Sequence, residues 1–197
     1  IVGAREIFQR VDPQLGAQFD DIADRGLIDP ASRKGKAPGG YQTSLGEARL
    51  PFIFMNAVGV HSDVRTLLHE GGHAFHTMAC RDEPIHSYRH APMEFCEVAS
   101  MAMELIAGEK LDVFYDDPAD IRRARRDYFE GLVHILPWVA TIDAFQHWIY
   151  ANPSQTKAQR RQAWLEVMDR FSGGVVDWTG LDEQKTFAWH RQLHVFQ

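Results

Sequence analysis

Cysteine is scarce in this 197-residue chain, with only Cys80 and Cys96 present. Two cysteines cannot build the disulfide framework of a small secreted scaffold, so a reducing, cytoplasmic setting is expected. An excess of positive charge is missing as well: 21 Lys and Arg stand against 27 Asp and Glu, for a net charge of −6. Binding a phosphate backbone needs clustered cations, which argues against nucleic acid as a partner. Arg122, Arg123, Arg125 and Arg126, and the pair Arg160–Arg161, read instead as solvated helix faces. No apolar run approaches the roughly 18 residues of a membrane span, and no membrane partner is expected. The start of the chain carries Asp12 and Asp20 rather than the apolar core of a signal peptide. What is there, 45% hydrophobic residues, suffices for one core, and a single domain over 1–197 is expected.

Helical patterns dominate. Residues from about Ala4 to Arg25 read as helical, and further helices are predicted near 63–79, 93–107, 118–136, 138–150 and 156–171. Pro137 is expected to kink or divide a longer helix. The Gly- and Pro-containing run from Lys34 to Gly46 reads as a loop or short hairpin, and Pro51–Asn56 as a short strand. That strand could accept an extended peptide along its edge, or it is a plain core strand. The predicted class is mainly α, an α+β fold with a minor sheet.

The sharpest local feature is His69-Glu70-Gly71-Gly72-His73. Residues four apart share a helix face, so His69 and His73 can aim two imidazoles at one tetrahedral Zn²⁺. Glu70 can then take a proton from a water activated by the metal. Chance would place this pattern in roughly 3% of chains of this composition, so context matters. Val64, Leu67, Leu68, Phe75 and Met78 supply helical packing positions around it, with Ser62 and Asp63 as N-cap candidates. Adjacent glycines cost a helix up to about 1 kcal/mol each, which implies something passing close to the backbone. A packed neighbouring helix and a passing substrate both account for them.

A catalytic zinc site normally takes a third protein ligand. The segment Met93–Ile106 is apolar around most of its wheel, predicting a buried helix, yet carries Glu94, Glu97 and Glu104. Buried carboxylates need a cation or hydrogen-bond partners. The three acids fall on one stripe, so the wheel does not choose among them. Arg65, Arg81 and Arg89 are alternative partners for these acids.

These motifs together resemble the thimet oligopeptidase and oligoendopeptidase F family of zinc metallopeptidases, with the oligoendopeptidase F branch the nearer. The resemblance rests on His69–His76, on Phe95-Cys96-Glu97-Val98-Ala99-Ser100, on Arg33–Tyr41, on Pro51–Asn56 and on Asp143–Tyr150. It implies a zincin-like catalytic core with one Zn²⁺ per chain held by His69, His73 and Glu97. It also implies Glu70 as the catalytic carboxylate, Glu104 as a support near the metal, and short peptides as substrates. His76 is expected to support the site or simply pack. Arg65 departs from the pattern, because relatives usually carry there an acid that orients a metal ligand. Relatives also continue beyond a segment like Leu193–Phe196 into a tyrosine-rich stretch, and carry a large helical region ahead of one like Ile1. The chain is therefore expected to be the metal-binding core of a larger peptidase, truncated at both ends and a poor enzyme alone. His194 is then its one candidate oxyanion donor. Apolar surface left uncovered would favour self-association. The rival expectation is a non-catalytic zinc-binding helical module or interaction fragment.

Overall fold

The computed structural model describes residues 1–192 and Val195. It is mostly helical with one three-stranded sheet, and forms two compact units, Ile1–Arg125 and Arg126–Gln197. Among the described residues no helix is long and apolar enough to cross a membrane.

The first unit opens with α1 (Val2–Val11) and α2 (Pro13–Asp24) where one helical stretch was expected. The break is chemical. Asp12 is extended and its carboxylate accepts the Gln14 N–H at 2.7 Å, while Pro13 takes the first helical position, where no N–H is needed. Strands β1 (Ile28–Ala31), β2 (Gly40–Leu45) and β3 (Leu50–Ala57) follow in the order β1-β3-β2. β3 is therefore central, parallel to β1 and antiparallel to β2, so both its edges are occupied. A peptide cannot add to it, which leaves the core-strand reading of Pro51–Asn56. Its Pro51, Ile53 and Met55 are buried in strict alternation, the period-2 signature of a strand with one face on a core. The loop-or-hairpin segment turns out to contain β2.

Helix α3 (His61–Cys80) packs on this sheet and on α4 (Val98–Ala107). It starts earlier than Ser62 or Asp63 would allow as N-caps. Asp63 lies in its first turn and reaches back, its carboxylate accepting the N–H groups of Val58, Gly59 and Val60 at 2.7–2.9 Å. The core beneath α3 is built on Phe8, whose ring lies 4.8 Å from those of both Phe19 and Phe75. α4 differs from the buried helix expected over 93–107. Met93–Phe95 form a separate 3₁₀ turn, and only Ser100, Met103 and Ala107 of α4 are buried. Val98, Leu105 and Ile106 are about half exposed, so the apolar wheel overstated burial within this chain.

The second unit takes most of α5 (Pro118–Ala151), with α6 (Lys157–Phe171) and α7 (Asp182–Phe187). α5 runs unbroken through Pro137, which does not divide it; the hydroxyl of Thr141 bonds the Pro137 carbonyl at 2.7 Å. α6 starts on a reciprocal cap, with Gln159 N–H donating to Thr156 Oγ1 and Thr156 N–H to Gln159 Oε1. Trp164, fully buried beside Phe145 and Ile149, centres the core and donates its indole N–H to the Lys185 carbonyl at 2.8 Å.

Candidate metal centre

The helix that carries His69 and His73 holds their rings 4.9 Å apart, nearly perpendicular. Glu97 comes from the residue just before α4, with φ −93° and ψ 0°, so its side chain is not part of the helix's own face. Its Oε2 lies 3.1 Å from His69 Nε2 and 3.4 Å from His73 Nε2. The three donor atoms lie within 4.8 Å of one another, the one such set of His, Cys or acidic groups among the described residues. Glu94, in the preceding 3₁₀ turn, is exposed and outside the set.

Two features of this set fit a metal ion. Ligands bound tetrahedrally at about 2.0–2.1 Å sit about 3.3–3.4 Å from one another, close to the two nitrogen–oxygen separations seen here. The second feature is a conflict of lone pairs. Glu104 Oε1 lies 2.6 Å from His69 Nδ1, and in the neutral ring a proton held on that side leaves the Nε2 lone pair facing the Glu97 carboxylate. Two acceptors that close require a positive centre, either a second proton or a cation. The acid–base balance agrees. Burial opposes charge on His69, but Glu104, Glu70 and Glu97 outweigh it and raise its pKa. His73, where burial prevails over the pull of Glu97, has its pKa lowered and favours the neutral, ligating form.

Glu70 is buried at 6% exposure. Burial pushes its carboxyl above the ordinary value; His69 and the Gln42 N–H pull it back, and Glu97 and Glu104 add to the rise. Glu104 has a second partner, Arg65, whose Nε lies 3.8 Å from its other oxygen. Arg65 therefore sits behind the acid that orients His69, while neither Arg81 nor Arg89 reaches these carboxylates among the described residues. His76 is half-buried on α3 and acts on His73 through charge rather than a hydrogen bond. His194 lies outside the described residues.

The two glycines have separate reasons. A Cβ on Gly72 would stand 2.6 Å from the carbonyl oxygen of Ala99 and 2.6 Å from the Cα of Ser100. One on Gly71 would stand 2.6 Å from the Phe8 ring. Packed protein, α4 on one side and a core aromatic on the other, accounts for both. Ser100 was not singled out by the sequence pattern. It is fully buried, and its hydroxyl donates to Glu97 Oε2 at 2.8 Å, the same oxygen that faces both imidazoles. Its place three residues after Glu97 was the available signal.

The sequence matches Peptidase family M3 over residues 17–196. It is 32% identical over 191 residues to Oligopeptidase PepF of Bacillus subtilis, covering 92% of this chain and 28% of that protein. Over 108 residues it is 32% identical to the chromosomal oligoendopeptidase F of Lactococcus lactis subsp. cremoris, covering 55% of this chain and 18% of that one. Among solved structures, PZ peptidase A with an inhibitor superposes with a TM-score of 0.88 at 31% identity, over 98% of this chain and 34% of that one. The chain thus spans less than a third of the curated relatives it matches.

Proposed function

The chain belongs to Peptidase family M3, and from that premise we propose that it is the metal-binding core of a zinc-dependent endopeptidase acting on short peptides. On this reading both units are parts of one catalytic domain of a longer, cytoplasmic peptidase, and His69, His73 and Glu97 hold one Zn²⁺. The observation that carries it is one Glu97 oxygen set 3.1 and 3.4 Å from two imidazole nitrogens, close to the spacing of ligands around a single tetrahedral ion. A metal ion there supplies Lewis acidity toward a carbonyl oxygen and lowers the pKa of a nearby water.

The chain's own groups do the rest. Glu70 takes the proton as the water's O–H bond breaks and a C–O bond forms at the scissile carbonyl. It returns that proton to the peptide nitrogen as the C–N bond breaks. A carboxyl raised by burial is better matched to both transfers near neutral pH than a solvated one. Glu104 keeps the His69 proton on Nδ1, and Ser100 keeps Glu97 pointed inward. The apolar side chains α4 exposes make self-association of this chain part of the proposal, which sedimentation at rising concentration tests.

The deciding experiment compares the full-length parent with its Glu70→Gln variant on a fluorogenic peptide, with zinc measured in both. Unchanged zinc and a loss of turnover of at least about 10²-fold support the reading. Equal rates exclude Glu70 as the base; bound zinc with no turnover in either protein favours a non-catalytic zinc module.

A further inference from the structure

Beyond the metal centre, α3 and β2 continue side by side. Gln42 N–H faces the Glu70 carboxylate, and further along the same strand the Ser44 hydroxyl pairs with that of Thr77 at 3.1 Å. Past Thr77 the two elements end at a cleft walled by Arg49, Arg81, Arg89, His86 and His90. Arg49, in the turn after β2, has φ +54°, the one non-glycine residue with left-handed backbone among the described residues.

The guanidinium groups are tethered but not neutralised. Arg49 Nη1 donates to the Arg81 carbonyl at 3.1 Å, and Arg89 Nε to the Glu83 carbonyl at 2.7 Å. Carbonyls position a guanidinium without cancelling its charge. Among the described residues, the only carboxylate within 4.0 Å of any of the three is Asp82, at 4.0 Å from Arg81 and 94% exposed. The nearby Glu83 side chain is turned to the Ile85 N–H instead. In a chain of net charge −6 this is a concentrated cationic site, its one carboxylate contact long and exposed, with donors left over.

We propose that this cleft binds a carboxylate of the peptide substrate about three residues from the cleaved bond. The inference rests on the peptidase reading above and adds a substrate preference to it. Two element lengths give the distance. From His73, Thr77 and Arg81 lie four and eight residues along a helix, about 6 and 12 Å at 1.5 Å per residue. From Gln42, Ser44 and Leu45 lie two and three residues along a strand, about 7 and 10 Å at 3.3 Å per residue. An extended peptide covers the midpoint of either range in about three residues. Arginines recognise carboxylates through charge-assisted, often bidentate hydrogen bonds. A side-chain carboxylate and a free C-terminal carboxylate share that chemistry.

The test uses full-length, zinc-loaded protein and neutral peptides capped at both ends. A single Asp is moved along one series, and a free C-terminus is placed at each position in another. Affinity is read by fluorescence anisotropy on the Glu70→Gln form, and turnover on the unmodified enzyme. A gain of about tenfold in affinity should appear when the carboxylate stands about three residues from the cleaved bond, on one side only. Arg49→Gln and His86→Gln should each flatten the preference, the acidic peptide losing more affinity than the neutral one. Raised ionic strength should flatten it with no variant needed. The Asp and free-terminus series show which source the cleft prefers. Equal affinity for acidic and neutral peptides, no binding of the acidic one, or a preference untouched by salt and both variants overturns the assignment. Acid-dependent binding without turnover leaves the cleft standing and overturns the peptidase reading.

Discussion

Gly72 and Gly71 are neighbours with different duties, and substituting each by Ala should separate metal binding from stability. In Gly72→Ala the new Cβ is about 0.8 Å short of the 3.4 Å at which ordinary contact with Ala99 and Ser100 begins. Both obstacles are backbone, so α3 and α4 must part. Overpacking of this kind costs about 1–3 kcal/mol, offset by up to about 1 kcal/mol of helix propensity. The net, about 0–3 kcal/mol, lowers Tm by up to about 12 °C in a chain of this size. Glu97 sits two residues before Ala99, and its oxygen is set to within a few tenths of an ångström against the imidazoles. A metal site tolerates about 0.2 Å of misplacement, so zinc affinity should fall at least about tenfold. Gly71→Ala meets the Phe8 ring, which bears no ligand. It should destabilise comparably while keeping zinc affinity within about threefold. Tm measured without metal and zinc competition against a chromophoric chelator report the two quantities separately. Full zinc affinity in Gly72→Ala, or an equal loss in Gly71→Ala, refutes the claim that the α3–α4 approach at Gly72 sets the ligand geometry.

Removing the Ser100 hydroxyl in Ser100→Ala should weaken zinc binding about 10- to 100-fold by the same chelator competition, because Glu97 loses the donor that aims it. Asp63→Ala should cost about 1–2 kcal/mol in denaturant melts at neutral pH, since three N–H groups lose their acceptor. Burial raises the Asp63 pKa but those hydrogen bonds overcome it, leaving the folded-state pKa lowered. Its contribution is therefore present above the ordinary carboxylate range and lost as pH falls through and below it, so the gap between variant and parent should close in acid. Chelation should lower Tm, with zinc at 100 times its dissociation constant having stabilised the fold by about 2.7 kcal/mol; an unmoved Tm argues that the metal does not bind the folded state.

Much of the fold was legible because its signals are local. The 3.6 period around His69–His73 and the alternation of Pro51, Ile53 and Met55 each need only a few neighbouring residues. The Asp12–Pro13 break was equally local, an N-cap followed by a proline at the first helical position, but the apolar period running across it masked it. α4 misled in the opposite direction. An apolar wheel records what a helix would prefer to bury, and within this chain Val98, Leu105 and Ile106 stay exposed. Pro137 shows the limit of punctuation: a proline removes one N–H, and the rest of α5 carries the helix through.

The local pattern by itself determined that two imidazoles share a helix face with a glutamate between them, because helix geometry dictates that spacing wherever the helix lies. It could not determine which of Glu94, Glu97 and Glu104 meets those imidazoles, since all three share a stripe. Packing between α3 and α4 decided that. Gly72 admits the backbone of Ala99 and Ser100, and this approach brings Glu97 Oε2 against both rings while turning Glu104 to the far nitrogen of His69. The cationic cleft is tertiary for the same reason. Arg49 lies 32 residues before Arg81 along the chain, and only the folding of β2 along α3 brings it to the cleft that Arg81 and Arg89 also wall.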